Sequence, residues 1–297
     1  MATAARLLGL GAAAVIVIAA AGWAITRPRA LDPAATAGLS GDAVRGEWVF
    51  WASGCASCHA APGSEDKLVL AGGQRFVTEF GTFVAPNIST DAQAGIGGWT
   101  LAQFATALTQ GTSPEGRHYY PAFPYAAYRL MALQDVADLK AFMDTLPASD
   151  APSAPHELAF PFSLRAGLGV WKALALGDEG WVMPAGTPEL EHGRYIAEAL
   201  AHCGECHTPR DGLGRLDTAR WMAGAPNPSG QGRIPGLTPG QLDWSAEDIA
   251  YYLESGFTPG FDSAGGHMAE VVRNMARLTA EDRAAVAAYV KALPPAE

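Results

Sequence analysis

Two pentapeptides hold every cysteine in this chain: Cys55-Ala-Ser-Cys58-His59 and Cys203-Gly-Glu-Cys206-His207. On a helical turn, side chains three apart share one face, so each pair presents two thiols side by side. Thiols placed this way can form thioether bonds to the vinyl groups of a haem. The histidine that follows projects its imidazole at the iron. Zinc sites, disulfides and redox dithiols also use paired cysteines. A single shared metal does not explain a histidine after each pair on separated repeats, and a thioredoxin-like pair needs a βαβ setting that is absent here. The predicted cofactors are two covalently bound c-type haems with iron ligated by His59 and His207.

Iron held by one histidine takes a sixth ligand or keeps an open position, which separates electron transfer from catalysis. In the second half the candidates are Met222, Met268 and Met275. Met268, in "GGHMAEVV", stands 61 residues after His207 in a glycine-bearing loop before the last helix. A class I cytochrome fold presents its thioether there, so Met268 is the predicted ligand. Met275 reads as core, as a methionine at helical spacing usually does.

The elements that must position these groups repeat. "RGEWVFWASG" precedes the first pair and "HGRYIAEALAH" the second, aligning Gly46 with Gly193 and Trp48 with Tyr195. Downstream, "GGWTLAQFATALTQG" matches "LDWSAEDIAYYLESG", with Trp99 opposite Trp244 and Gly111 opposite Gly256. Each half closes on an amphipathic helix that sets Phe142 against Tyr289 and Pro147 against Pro294, 147 positions apart in both cases. Helical periodicity dominates and no run alternates as a strand does. The expected fold is all-α: two tandem class I cytochrome c domains with an N-terminal transmembrane helix. The expected bounds are 1–30 for a membrane anchor or signal, 38–148 and 188–297 for the domains, and 149–187 for an ordered strap. The strap carries Phe160, Phe162, Trp171 and Trp181, which a flexible polar linker would not. Gly46 and Gly193 are expected where first and last helices cross closely, since glycine lets backbones approach.

The stretch Leu7 to Thr26 contains 20 residues without a charge, enough for a helix to span roughly 30 Å of hydrocarbon. The alternative is a cleaved signal, whose apolar region is usually shorter. Either reading exports the rest of the chain, into an oxidising space where haem attachment to thiols occurs. The expected location is the bacterial inner membrane with the globular part in the periplasm. With 297 residues, a formal charge of −10 and only 20 Lys plus Arg, the chain has no basic surface for nucleic acid.

Beyond residue 40 the chain resembles the multihaem cytochrome c subunits of membrane-bound alcohol and aldehyde dehydrogenases. The resemblance is carried by "GCASCHAAPG", "FGTFVAPNISTDAQAGIGGWT", "GRHYYPAFPY", "HELAFPFSLR", "HCGECHTPR" and "GGHMAEVV". Those subunits typically carry three haem motifs, so the two here match their first two domains. They also typically have methionine where this chain has Phe123, which cannot ligate iron. Three readings of the first iron follow. Met131, in "YRLMALQD", swings in as ligand, although it aligns with Leu278 and can equally plug the core. His118 ligates, although the family carries histidine there even beside the methionine. Or the site is five-coordinate or water-bound. By resemblance to class I cytochromes, Pro86 and Pro235 supply carbonyls to the ligating imidazoles, and Trp99 and Trp244 flank the haems.

The function these features imply is electron transfer. Two haems would relay electrons from a periplasmic or membrane dehydrogenase to a quinone, an oxidase or a soluble cytochrome c. A haem enzyme of peroxidase or thiosulfate-oxidising type, working at an open first haem, is the alternative.

Overall fold

Polar side chains cap five of the described α-helices, and left-handed glycines stop two of them. The computed structural model describes residues 2–177, 180–230 and 232–295; the side chains of residues 2–9 and 14 lie outside the described residues. Helix α1 runs Ala2–Thr26. Helix α2 (Ala43–Ala52) starts at Asp42, whose carboxylate accepts from the amides of Val44 and Arg45. Helix α3 (Cys55–His59) is the first pentapeptide itself. A hairpin of β1 (Arg75–Thr78) and β2 (Gly81–Val84) follows. Helix α4 (Leu101–Gln110) opens on a Thr100/Gln103 capping box and stops at Gly111, φ 57°. Helices α5 (Tyr125–Tyr128) and α6 (Leu133–Met143) complete the first half. The strap contributes β3 (Glu157–Leu158) and α7 (Ala166–Ala175).

The second half repeats the plan. Helix α8 (Pro188–Arg194) runs into a π-helical segment, Tyr195–Leu200, and α9 (Gly204–His207) carries the second pentapeptide. Strands β4 (Ala225–Pro226) and β5 (Arg233–Ile234) pair. Helix α10 (Ala246–Ser255) has the α4 design, a Ser245/Asp248 capping box and a stop at Gly256, φ 77°. Helices α11 (Gly266–Met275) and α12 (Ala280–Lys291) close the chain.

The all-α expectation needs a correction. The fold is mostly helical, but it carries two small antiparallel sheets, ordered β1-β2-β3 and β4-β5. Strands of two to four residues are too short for a period of two to register in a sequence.

In each half the first helix crosses the last. A methyl group on Gly46 would overlap the Asp138 carbonyl of α6, and one on Gly193 would overlap the Ala285 carbonyl of α12. Both glycines therefore sit where the helix backbones touch, and the apolar side chains Val49, Phe50 and Leu139, or Ile196, Leu200 and Val286, close around them. The repeat offset is 147 from Gly46 to Gly193 but 148 from Cys55 to Cys203. The extra residue is absorbed by the π segment, where the Ala201 amide reaches back five residues to Ile196 at 2.7 Å. A bulge of this kind adds a residue without breaking the helix.

The strap is packed, not loose. Asn87 Nδ2 donates to the carbonyls of Ser149 and Ala151 (both 2.8 Å), and the Trp171 indole donates to the Leu213 carbonyl (2.7 Å). The buried Glu198 carboxylate accepts from the amides of Val182 and Met183 and from the Tyr289 hydroxyl. At the other end of the chain, no helix among the described residues is long and apolar enough to cross a membrane. Of the anchor expected over 1–30, residue 1 and the side chains of residues 2–9 and 14 lie outside the described residues.

Candidate functional site

Each pentapeptide forms one short turn at the end of a domain's first helix. Gly54, φ 66°, takes the left-handed conformation that separates α2 from α3, letting the chain change direction just before Cys55. All four thiols are unpaired. Desolvation pushes Cys55 up to about 12, Cys58 to about 11 and Cys203 to about 12, and raises Cys206 as well. Thiols raised in this way stay protonated at neutral pH, unlike the low-pKa thiolates of redox or metal-binding cysteines. Among the described residues, no group of three or more His, Cys, Asp or Glu is arranged to hold a bare metal ion. The chemistry of the donor set therefore fits a haem attached through sulfur.

The imidazoles are held the same way in both halves. His59 Nδ1 lies 2.8 Å from the Pro86 carbonyl, and His207 Nδ1 lies 2.8 Å from the Pro235 carbonyl. A carbonyl only accepts, so the proton is on Nδ1 and the Nε2 lone pair is left for iron. Desolvation lowers the pKa of both rings and keeps them neutral, the state a ligand needs. Behind each ring a left-handed glycine returns a bond: the Gly72 amide to the His59 carbonyl, and the Gly224 amide to the His207 carbonyl, both 2.7 Å. A side chain at Gly72 would strike Pro86.

The methionines separate by environment. Met222 is fully buried, and its carbonyl receives the Leu237 amide as the Leu70 carbonyl receives that of Ile88, so it packs as core. Met275 is likewise core. Met268 lies in the first turn of α11, not in a loop as expected, and is partly buried against the core. It stands 12 residues after Gly256, and 12 residues after Gly111 stands Phe123. Phe123 is ringed by Tyr119 (5.7 Å between centroids) and Tyr128 (5.8 Å). Met131 is 5% exposed in the core, as is Leu278 at the matching position 147 further on. His118 points elsewhere: its Nε2 donates to the Thr26 carbonyl at the end of α1 (2.9 Å). Trp99 and Trp244 are partly buried against the core, and Trp244 packs edge-on against Tyr252 (5.1 Å).

The structure also brings the two attachment turns together, which the sequence analysis missed. Tyr128 donates its hydroxyl to the Ser53 carbonyl, two residues before Cys55 (2.9 Å), while its ring meets that of His202, the neighbour of Cys203 (5.6 Å). Asn274 of α11 donates to Ser57 Oγ, inside the first pentapeptide (2.7 Å). Phe76 of β1 packs on His267, next to Met268 (5.7 Å). These partners lie up to 217 positions apart, and no local pattern signals such pairing.

Comparison with known proteins agrees with this geometry. The cytochrome c family profile matches residues 43–147 and 191–294. A diheme cytochrome c-type protein of Cereibacter sphaeroides is 59% identical over 295 residues, covering 98% of this chain and 99% of that one. The fructose dehydrogenase cytochrome subunit of Gluconobacter japonicus is 36% identical over 84% of this chain and 52% of its own length. The cytochrome c subunit of the quinone alcohol dehydrogenase of Komagataeibacter europaeus is 32% identical over 84% of this chain and 56% of its own. The chain thus spans little more than half the length of these dehydrogenase subunits.

Proposed function

The chain belongs to the cytochrome c family as a dihaem c-type cytochrome related to the cytochrome c subunits of membrane-bound dehydrogenases, and from that premise we propose that it relays single electrons. The donor would be a periplasmic or membrane dehydrogenase; the acceptor a quinone, an oxidase or a soluble cytochrome c. The observation that carries this reading is the doubled site, Cys-x-x-Cys-His with its imidazole locked by a proline carbonyl, in two halves whose attachment turns are bridged by Tyr128. Haem iron, when bound, supplies one-electron chemistry. The protein's part is to hold the group. Cys55, Cys58, Cys203 and Cys206 tether it, His59 and His207 ligate it, and Pro86 and Pro235 keep each imidazole in the ligating tautomer. Met268 is the proposed sixth ligand of the second iron. In the cell we place α1 across the inner membrane, with the globular part in the periplasm.

The test is transient kinetics with a purified dehydrogenase and its substrate. Both haems should be reduced at a rate set by dehydrogenase concentration and reoxidised by an added acceptor, with no turnover of hydrogen peroxide or thiosulfate. Rapid turnover of either small substrate would reverse the reading.

A second reading has one observation in its favour, Phe123 in the register of Met268. Unless Met131 leaves the core to ligate, the first iron has an open position, and a haem enzyme of peroxidase or thiosulfate-oxidising type becomes the better description.

A further inference from the structure

Helix α1 does not dangle from the first domain. Its last residue, Thr26, accepts from His118 at its carbonyl, and a methyl group on Gly169 of α7 would overlap that same carbonyl. The exit of α1 is thereby fixed between the loop carrying His118 and the strap. Trp23, Arg27 and Arg29 mark the exit, the Arg27 guanidinium lying 5.6 Å from the Trp23 ring centre. Aromatic and basic residues of this kind favour the bilayer interface.

The strap that touches this exit carries five large apolar side chains that face solvent. Phe160 is 80% exposed, and Phe162 and Leu164 are also exposed. On α7, Val170 and Leu174 are 50% and 63% exposed and four residues apart, so they share a face. Their backbone is firmly placed: the Phe162 carbonyl accepts from the Tyr120 hydroxyl, and Arg165 donates to the His118 carbonyl, both 2.9 Å. Scattered exposed apolar residues need no explanation, but a contiguous group does.

We infer that this apron, Phe160 to Leu174, is a second membrane contact, resting in the interfacial layer around the point where α1 enters the bilayer. The inference rests on the reading of α1 as a membrane anchor. Given that reading, the geometry leaves little choice of occupant. Gly169 touches the end of α1, so Val170 lies one residue from the membrane entry point. The interfacial region adds roughly 5 to 8 Å on each side of the hydrocarbon. Aromatic and aliphatic side chains that close to the entry point reach lipid before they reach another protein. Two contacts would also fix the tilt of the haem domains above the membrane, since a single helix alone leaves the body free to swivel.

The experiment uses the full-length holoprotein in vesicles of phosphatidylcholine and phosphatidylglycerol. Because haem attachment consumes the four native thiols, single spin labels can be placed through Phe160→Cys, Leu174→Cys and, as a control in the second domain, Phe261→Cys. Haem absorption checks that each variant folds. Labels at 160 and 174 should gain collisions with oxygen and lose collisions with a water-soluble nickel chelate severalfold on reconstitution, while the label at 261 stays nickel-accessible. Nickel-accessible labels at 160 and 174 in vesicles would overturn the apron, as would shielding that appears only after a dehydrogenase is added. Extraction with alkaline carbonate tests the anchor separately. If the chain is released, the anchor reading fails, and the labels recorded before extraction still decide the apron either way.

Discussion

The Trp48 indole of the first domain donates to Asp282 Oδ2 of the second at 2.8 Å, and the relationship is reciprocal: Tyr195, in the place of Trp48, donates to Asp135, in the place of Asp282, at 2.5 Å. Each domain thus inserts an aromatic donor from its first helix into the start of the other's last helix. The two halves meet as an isologous pair does, patch i on j and j on i, within one chain. Trp48→Phe and Tyr195→Phe should each cost about 0.5 to 1.5 kcal/mol. The double variant should unfold in two steps, seen as separate denaturant midpoints for the two haem environments. A single unshifted transition would show that the junction does not couple the domains.

Acid should act on the same junction. Desolvation alone would raise the Asp282 pKa, but hydrogen bonds from His192, Trp48 and Thr279 outweigh it and hold the carboxyl below its ordinary value. A carboxylate with a lowered folded-state pKa stabilises the protein above its unfolded pKa, and that contribution disappears as pH falls through the folded value. As pH falls through and below the ordinary carboxylate range, Asp282→Asn should therefore show a shallower loss of stability than the wild type in a urea titration series. Equal slopes would contradict the assignment.

The helix crossings can be tested with one methyl group. Gly46→Ala or Gly193→Ala forces backbone against backbone and should cost about 1 to 3 kcal/mol or more. Gly212, with nothing within 4 Å of where its Cβ would be, should tolerate alanine within about 0.5 kcal/mol. Thermal unfolding of the three variants side by side reads the difference.

Ligation of the first iron is settled by carbon monoxide binding to the reduced protein. If Met131 ligates, the wild type binds none, Met131→Ala opens one site and lowers that haem's potential, and Met268→Ala does the same at the other. If Met131 is only core, its truncation costs about 2 to 5 kcal/mol with an unchanged ligation spectrum, and the wild type already binds one equivalent. Absorption spectra distinguish these outcomes.

Association with a basic redox partner should slow as salt rises. The chain carries a formal charge of −10, and haem propionates would add to it. Steering acts over about 8 to 10 Å at physiological ionic strength. Bimolecular rates that stay flat from low to high salt would rule it out.

Short-range features were readable from the residues alone. Two contiguous pentapeptides specify the thiols and imidazoles, since haem attachment needs only one helical turn. The repeat was legible because each half buries the same helix faces, and Gly46 and Gly193 because no other residue fits such a crossing. Tertiary structure alone placed Trp48 on Asp282, Asn274 on Ser57 and the strap's apolar residues beside the end of α1. Of the two placements open to Met131 it chose burial in the core, as it buries Leu278, and it formed strands too short to show a period. Those contacts join positions far apart in the chain, and their partners are chosen by how two folded domains pack, a choice to which no local periodicity corresponds.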